Sequence, residues 1–244
     1  MTAFRVLTLF PDLLSSAFHE TAGLLGKAVK NSVISVTPHD LRAYGIGQYN
    51  SLDDEPYGGG GGMLMRVEPW SRAIADVRAA VANVHVVMLS PAAQPLTQAR
   101  VRRLAERDAI ALCCPRYEGV DERVLAYCDE VLSLGDFVLS GGEYAALCVI
   151  DAVARLRPGF MGKAEAPVDE SYAHPGRIEH AQYTRPPSFE GRDVPKVLMS
   201  GNHKDIAAFR RASQLARTVE RRPDLLQRFP LLREEWALLR APPE

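Results

Sequence analysis

Two short stretches, VHVVMLS at 84–90 and AIALCC at 109–114, are apolar at nearly every position. A strand that faces water on one side alternates apolar and polar residues. A strand without alternation must be covered on both faces, the environment of a parallel sheet between helical layers. The neighbouring segments repeat the theme. FRVLTLF (4–10), SVISVTP (32–38, ended by Pro38) and EVLSLG (130–135) read as three further strands. Between them lie runs with helical apolar spacing. DLLSSAFHETAGLLGKAVKN (12–31) carries Leu13, Leu14, Phe18, Leu24, Leu25 and Val29, and PWSRAIADVRAAVAN begins at Pro69. TQARVRRLAER has Thr97 as a cap, GVDERVLAYC is a short helix, and GGEYAALCVIDAVARLRPG closes at Pro158-Gly159. Alternation of this kind predicts an α/β fold with a mostly parallel sheet.

The chain has 244 residues, of which 47% are apolar and 24% charged, the balance of an ordinary globular protein. No apolar run reaches the ~18 residues of a membrane span. MTAFRVLTLFPDLLSS lacks a leading basic region and a small-residue cleavage site, so it reads as a first strand and the expected compartment is the cytoplasm. Cys113, Cys114, Cys128 and Cys148 form no C-x-x-C pair and have no histidine at finger spacing, which argues against zinc; the first two read as buried small hydrophobes.

Ligands of parallel sheets sit in loops beyond the carboxyl ends of the strands. Here those loops are MLSPAA (88–93), PRYEG (115–119) and SLGDFVLSGGE (133–143). A fourth glycine-rich stretch, YGGGGGM at 57–63, is costly to order, so it is either a floppy linker or a place where something approaches the backbone closely. A phosphate loop is a poor reading, because no G-K-S/T follows. From Lys163 to Pro187 the sequence turns polar, proline-containing and aperiodic, a loop too long to be an ordinary connection. Beyond it NHKDIAAFRRASQLARTVERRPDLL is amphipathic, with Ile206, Phe209, Leu215 and Val219 on one stripe, and PLLREEWALLRAPP is another short helix. The organisation expected is a first domain over 1–162, a mobile linker over 163–175 and a helical domain over 176–244. Net charge is −1 overall, yet between Arg177 and Arg222 ten Lys/Arg face five Asp/Glu. That local excess fits either an anionic polymer or a solvated helix face.

SLDDEPYGGGGGMLM, LSPAAQPL, PRYEGVDERV, SLGDFVLSGGE, DAVARLRPG, YTRPP and VLMSGNHKDIAAFR, in this order, resemble the signature segments of the bacterial tRNA (guanine-N1)-methyltransferase, TrmD, family. The resemblance runs from the first strand to about Leu226. It implies a trefoil knot in the carboxyl half of the first domain, a homodimer with its active site shared between subunits, S-adenosylmethionine as methyl donor, magnesium as a further requirement without assigned ligands, and the tRNA anticodon arm as partner. By resemblance the donor is held by Leu89, Ser90 and Pro91; by Tyr117, Glu118 and Gly119; and by Ser133, Leu134, Gly135, Phe137, Leu139, Gly141 and Gly142. Small residues there let backbone amides approach, and apolar neighbours sandwich an adenine. Glu118 would hold ribose hydroxyls or the ligand's cationic end; its plain reading is a helix-start acid.

Guanine N1 carries a proton at neutral pH, and its loss spreads negative charge onto O6, so a base and a cation are required. The resemblance assigns the base to Glu170, with Asp169 the adjacent alternative, and the cation to Arg155. It places Tyr57, Gly58, Gly59, Gly60, Ser171, Glu179, Arg185 and His203 on the substrate side. Gly61 occupies the family's variable slot. The stretch AHPGR makes this chain one residue longer than the family pattern between Ser171 and Glu179.

Overall fold

The computed structural model describes residues 1–19, 23–161 and 170–240, in two compact units, Met1–Ala164 and Glu165–Glu244. In chain order the first unit contains β1 (Thr2–Thr8), α1 (Pro11–Ala17), α2 (Gly23–Lys30), β2 (Ile34–Asp40), β3 (Asp53–Asp54), β4 (Leu64–Met65), α3 (Val67–Ala80), β5 (His85–Leu89), α4 (Gln98–Ala105), β6 (Ala109–Cys113), β7 (Glu130–Leu132) and α5 (Glu143–Ala154). The second contains β8 (Ser188–Phe189), β9 (Arg192–Asp193), α6 (His203–Arg221), α7 (Pro223–Arg228) and α8 (Arg233–Arg240).

The five long strands form one sheet in the order β2-β1-β6-β5-β7, and every pairing is parallel. Successive side chains point to opposite faces, so the continuous apolar strands feed two cores at once. Val87, Leu89, Ile110 and Leu112 face one core with Phe4 and Val6, covered by α1, α2, α4 and α5. Val86, Met88, Ala111 and Cys113 face the other with Leu7, covered by α3 through Trp70, Ile74 and Val77. Burying a side chain of this size removes about 1.5–3 kcal/mol of apolar exposure. The sheet is therefore the rigid base from which the loops project.

Three local expectations differ from the structure. The stretch 12–31 is not one helix: α1 ends at Ala17, where Ser15 and Ser16 turn their hydroxyls back onto the carbonyls of Pro11 and Asp12, a bond that competes with helix propagation. Pro38 does not end β2, which continues to Asp40 with Pro38 opposite Val6; β2 is an edge strand, and there a missing N–H costs no ladder bond. The segment after Asp121 is a 3₁₀ helix, Glu122–Tyr127, begun by the Asp121 carboxylate accepting from the Arg123 N–H. The expected cap is present, with the Thr97 hydroxyl accepting from the Arg100 N–H.

In the second unit α6 buries Ala212, Leu215 and Thr218. The irregular chain from Glu170 to Ala181 is fastened to that helix by side chains. Ile178 N–H donates to the Thr218 hydroxyl, Ala181 N–H to the Ser213 hydroxyl, and the Arg217 Nε–H to the Glu179 carbonyl. No helix among the described residues is long and apolar enough to cross a membrane.

Candidate active site

Three adjacent strands, β6, β5 and β7, end at the same edge of the sheet and release the three loops singled out in the sequence. They are laced together. Ser90 N–H donates to the Leu132 carbonyl, Leu96 N–H to that of Ser133, and Ser133 N–H to that of Gln94. The loop after β5 thus runs alongside the loop after β7. Gly142 N–H donates to the Pro115 carbonyl and ties the third loop to the second. Leu89, Ser90, Pro91, Tyr117, Glu118, Gly119 and the 133–142 segment therefore gather at one edge.

Two residues that sequence reasoning passed over hold this edge in shape. Glu143, fully buried at the start of α5, accepts a hydrogen bond from the Thr8 hydroxyl at 2.8 Å and pairs with the Arg116 guanidinium at 2.9 Å. Arg116 also donates to the Ser140 carbonyl and lies over the Phe10 ring, 4.4 Å from its centroid. A Cβ on Gly141 would overlap the Arg116 side chain, and one on Gly142 would come within 2.6 Å of the Cys114 Cα. These glycines are there because the arginine clamp and the strand end leave no space. The signal in the sequence was faint: both charged residues sit inside quoted loop motifs, yet nothing local pairs positions 116 and 143.

The glycine run joins the same edge. Glu118 N–H donates to the Met63 carbonyl, and Met65 N–H donates to that of Gly119. A Cβ on Gly62 would come within 2.5 Å of Glu118 Oε1, so the Glu118 carboxylate lies directly on the run. Gly58, Gly59, Gly60 and Gly62 all have positive φ, with +88° at Gly58 and +86° at Gly62, a region glycine enters at little cost. Gly61 does not, and space around it is open. The run is a shaped loop with one indifferent position. Tyr117, at φ +58°, is a non-glycine residue in the left-handed region, held there between Arg116 and Gly119.

Leu134 is half-buried, Leu139 and Phe137 are exposed, Gly119 has open space beside it, and Glu118 adds a carboxylate. Among the described residues no group of His, Cys, Asp and Glu is arranged to hold a metal ion.

Arg155 is elsewhere. It caps the carboxyl end of α5, about 18 Å of helix away from Gly142 at the other end. Its neighbourhood is the amino edge of the sheet. Arg157 donates to the Ala105 carbonyl just before β6, and a Cβ on Gly159 would lie 3.5 Å from Val33 just before β2. The length of α5 thus separates the Arg155 backbone from Gly142.

The remaining expected residues lie in the second unit, except Asp169, which falls outside the described residues. Ser171 accepts from the Glu179 N–H at 3.0 Å, and Ala173 N–H donates to the Glu170 carbonyl, so the Glu170–Glu179 stretch is one folded turn. His203 is the first residue of α6, behind the Asn202 cap, and Arg185 is exposed. The extra residue in AHPGR is accommodated by burial. A Cβ on Gly176 would overlap the Phe229 side chain, and Arg177 donates to the carbonyls of Phe229 and Pro230 while pairing with Glu235 at 2.6 Å. Glu235 also pairs with Arg211. Arg177, counted among the surface cations in the sequence, is thus an internal strut.

A five-stranded parallel sheet with loops gathered beyond its carboxyl edge defines an α/β protein with its ligand-binding edge at those loops. The family profile described as tRNA (Guanine-1)-methyltransferase TrmD matches residues 2–228. The chain belongs to that family and is a methyltransferase. Proteins called tRNA (guanine-N(1)-)-methyltransferase in Syntrophotalea carbinolica and Anaeromyxobacter sp. (strain K) are each 47% identical to it, the alignments covering 97% of this chain and 94% and 95% of those proteins. That of Myxococcus xanthus is 47% identical over 96% of this chain and 94% of its own length.

Proposed function

We propose that the protein methylates N1 of the guanosine 3′ of the anticodon in tRNA, with S-adenosylmethionine held by the three sheet-edge loops. The observation that carries this reading is the laced edge itself, where Glu118 rests on the glycine run while the Arg116–Glu143 pair holds Gly141 and Gly142 in place. The bound donor supplies an electrophilic methyl group on a cationic sulfur. Glu118 stands ready to meet that cation or the ribose hydroxyls, and the amides of the 133–142 loop accept close backbone approach. Tyr57 and Gly58–Gly60 line the mouth on the substrate side.

The acceptor needs the opposite treatment. Glu170, or Asp169 beside it, takes the N1 proton, and Arg155 meets the negative charge that then gathers on O6. Ser171, Glu179, Arg185 and His203 hold the nucleotide. Within one chain Arg155 lies at the wrong edge of the sheet, and this supports a homodimer in which a second copy completes each site. The hydrogen bonds that join the 90–96 segment to residues 132 and 133 support the close loop packing that a threaded, knotted carboxyl half requires, and a helical tRNA-binding domain follows it. Magnesium has no residues assigned to it. A cytoplasmic location follows from the tRNA substrate.

The test is mass mapping of tRNA after incubation with protein and isotopically labelled donor. Label on N1 of the guanine next to the anticodon is the expected result, and E170Q/D169N together should lower turnover by about 10²–10⁴-fold. Label on a ribose 2′-oxygen, or undiminished turnover in the double variant, sinks the mechanism.

A further inference from the structure

Among the described residues, two aromatic side chains sit on left-handed backbone, Tyr117 at φ +58° and Tyr172 at φ +66°. Bulky residues avoid that region, and strain of this kind persists only where the surroundings enforce it. Tyr172 is the third residue of the turn closed by the Ala173 N–H and the Glu170 carbonyl, a place that a turn with positive φ usually gives to glycine or asparagine. Its own N–H donates to the Arg177 carbonyl at 2.8 Å, which holds the backbone. The side chain is held from elsewhere. The Arg222 guanidinium donates to the Tyr172 hydroxyl at 2.6 Å and lies 6.0 Å from the ring centroid. Arg222 is the residue where α6 ends and α7 begins. Its other edge is taken by Asp224, with Nε to Oδ1 at 2.9 Å and a terminal nitrogen to Oδ2 at 2.7 Å. Such two-point pairing fixes the plane of the guanidinium, and the Arg222 hydrogen bond holds the Asp224 carboxyl below its usual value. Asp224 is exposed, and an exposed ion pair adds little to stability, so what this pair contributes is direction.

We propose that Tyr172 and Arg222 are positioning residues for methyl transfer: the Asp224–Arg222–Tyr172 chain latches the turn that begins at Glu170 onto the junction of α6 and α7, and so fixes where the Glu170 carboxylate is delivered. The inference rests on the reading of Glu170, or its neighbour Asp169, as the base. It goes beyond that reading in taking Arg222 out of the cations offered to RNA phosphates and assigning it to the acid-bearing turn. A general base works only within hydrogen-bond reach of its proton, and small misplacements cost rate steeply. Left to its backbone bonds alone, a turn with a tyrosine on left-handed backbone relaxes toward other conformers. The contact from Arg222 offsets that strain and keeps the turn in one shape.

The test is steady-state methyl transfer to an anticodon-arm RNA hairpin by the full-length protein, with RNA binding followed across a salt series. Tyr172→Phe keeps the ring and deletes the hydroxyl; it should lower kcat about tenfold while KM for the RNA stays within about twofold. Arg222→Gln should lower kcat by the same factor, and the two changes together by no more than either alone, because both break one contact. Arg222→Lys, which can still donate to the hydroxyl, should recover part of the loss. Asp224→Asn loosens the guanidinium without touching the turn and should give a smaller loss in the same direction. Trp236, in the same unit, reports the urea midpoint of each variant. A merely structural role would move that midpoint and would not give equal, non-additive losses in kcat at constant KM. If Tyr172→Phe and Arg222→Gln keep the parent kcat while Glu170→Gln/Asp169→Asn loses turnover, the latch is overturned and the base stands. If Arg222→Gln raises KM and lowers the slope of log affinity against log salt by about one while Tyr172→Phe is silent, Arg222 is a phosphate contact and the latch is overturned. Full turnover in Glu170→Gln/Asp169→Asn removes the base reading itself and the latch with it, a result that the other variants cannot mimic.

Discussion

The two units reach order by different means. In the first, described buried side chains are overwhelmingly apolar, with Thr2, Thr8, Ser133 and Glu143 the polar exceptions. In the second, the described buried apolar side chains are Val197, Ala212 and Leu215, while Arg177, Gln214, Thr218 and Glu235 are buried and polar. Both units nevertheless use one device, once each: a glycine with no room for a Cβ, pressed beneath a neighbour, beside an arginine paired to a buried glutamate. At the sheet edge the device is Gly141 with Arg116 and Glu143; in the second unit it is Gly176 with Arg177 and Glu235. Over the sheet, the clamp trims loops that backbone ladders already place. In the second unit no ladder carries the Glu170–Ala181 stretch, so the clamp and the side-chain hydrogen bonds decide where it goes. The same chemistry is an accessory in one region and the frame in the other.

The chain has two tryptophans, Trp70 in the first core and Trp236 on α8, so each unit has its own probe. The largest expected effect comes from Glu235→Ala, which strands Arg177 in a buried site and should cost about 3–5 kcal/mol. In urea, Trp236 should report an early transition while Trp70 keeps the parent midpoint. Leu112→Ala should do the reverse, costing about 2–5 kcal/mol in the sheet. Equal shifts at both probes for either variant would show that the units unfold as one and break the contrast.

Acid sharpens the comparison. Burial pushes the Glu235 carboxyl up, but the Arg177 hydrogen bond, the Leu232 N–H and the Arg177 and Arg211 charges together hold it below its usual value of 4.5. A carboxyl lowered on folding contributes stability above its unfolded value and loses it as pH falls through the folded one. The Trp236 midpoint should therefore drop as pH falls below about 4.5, and Glu235→Gln should flatten that dependence.

Within the glycine run the effects are smaller and opposite in kind. Gly62→Ala forces positive φ on alanine and pushes Glu118 away, so it should cost about 1–2 kcal/mol and weaken donor binding measured by calorimetry. Gly61→Ala should change stability by no more than about 0.5 kcal/mol and leave donor affinity alone. Thr97→Ala removes a long cap bond of 3.4 Å and should cost only about 0.5 kcal/mol, visible at Trp70 and silent at Trp236.

Much of the first unit was legible because its signals are local. Apolar runs without alternation named β5 and β6, and the loops singled out after them gather at one edge of the sheet. The edge strand's tolerance of Pro38 was not legible, since nothing in SVISVTP says which strand lies outermost. The loop members expected from resemblance and position lie together at that loop-bearing edge. The Arg116–Glu143 pair was missed, and Arg177 was misread as a surface cation.

The order of strands and helices, the glycine loops and the amphipathic α6 follow from periodicity and from backbone preferences, which act over a few residues. What only the tertiary structure decided is who meets whom: Thr8 with Glu143 across 135 residues and Arg177 with Glu235 across 58. Such pairings are settled when packing brings distant segments into one low-dielectric space, where an unpaired charge is too costly to leave, and no local pattern encodes that choice.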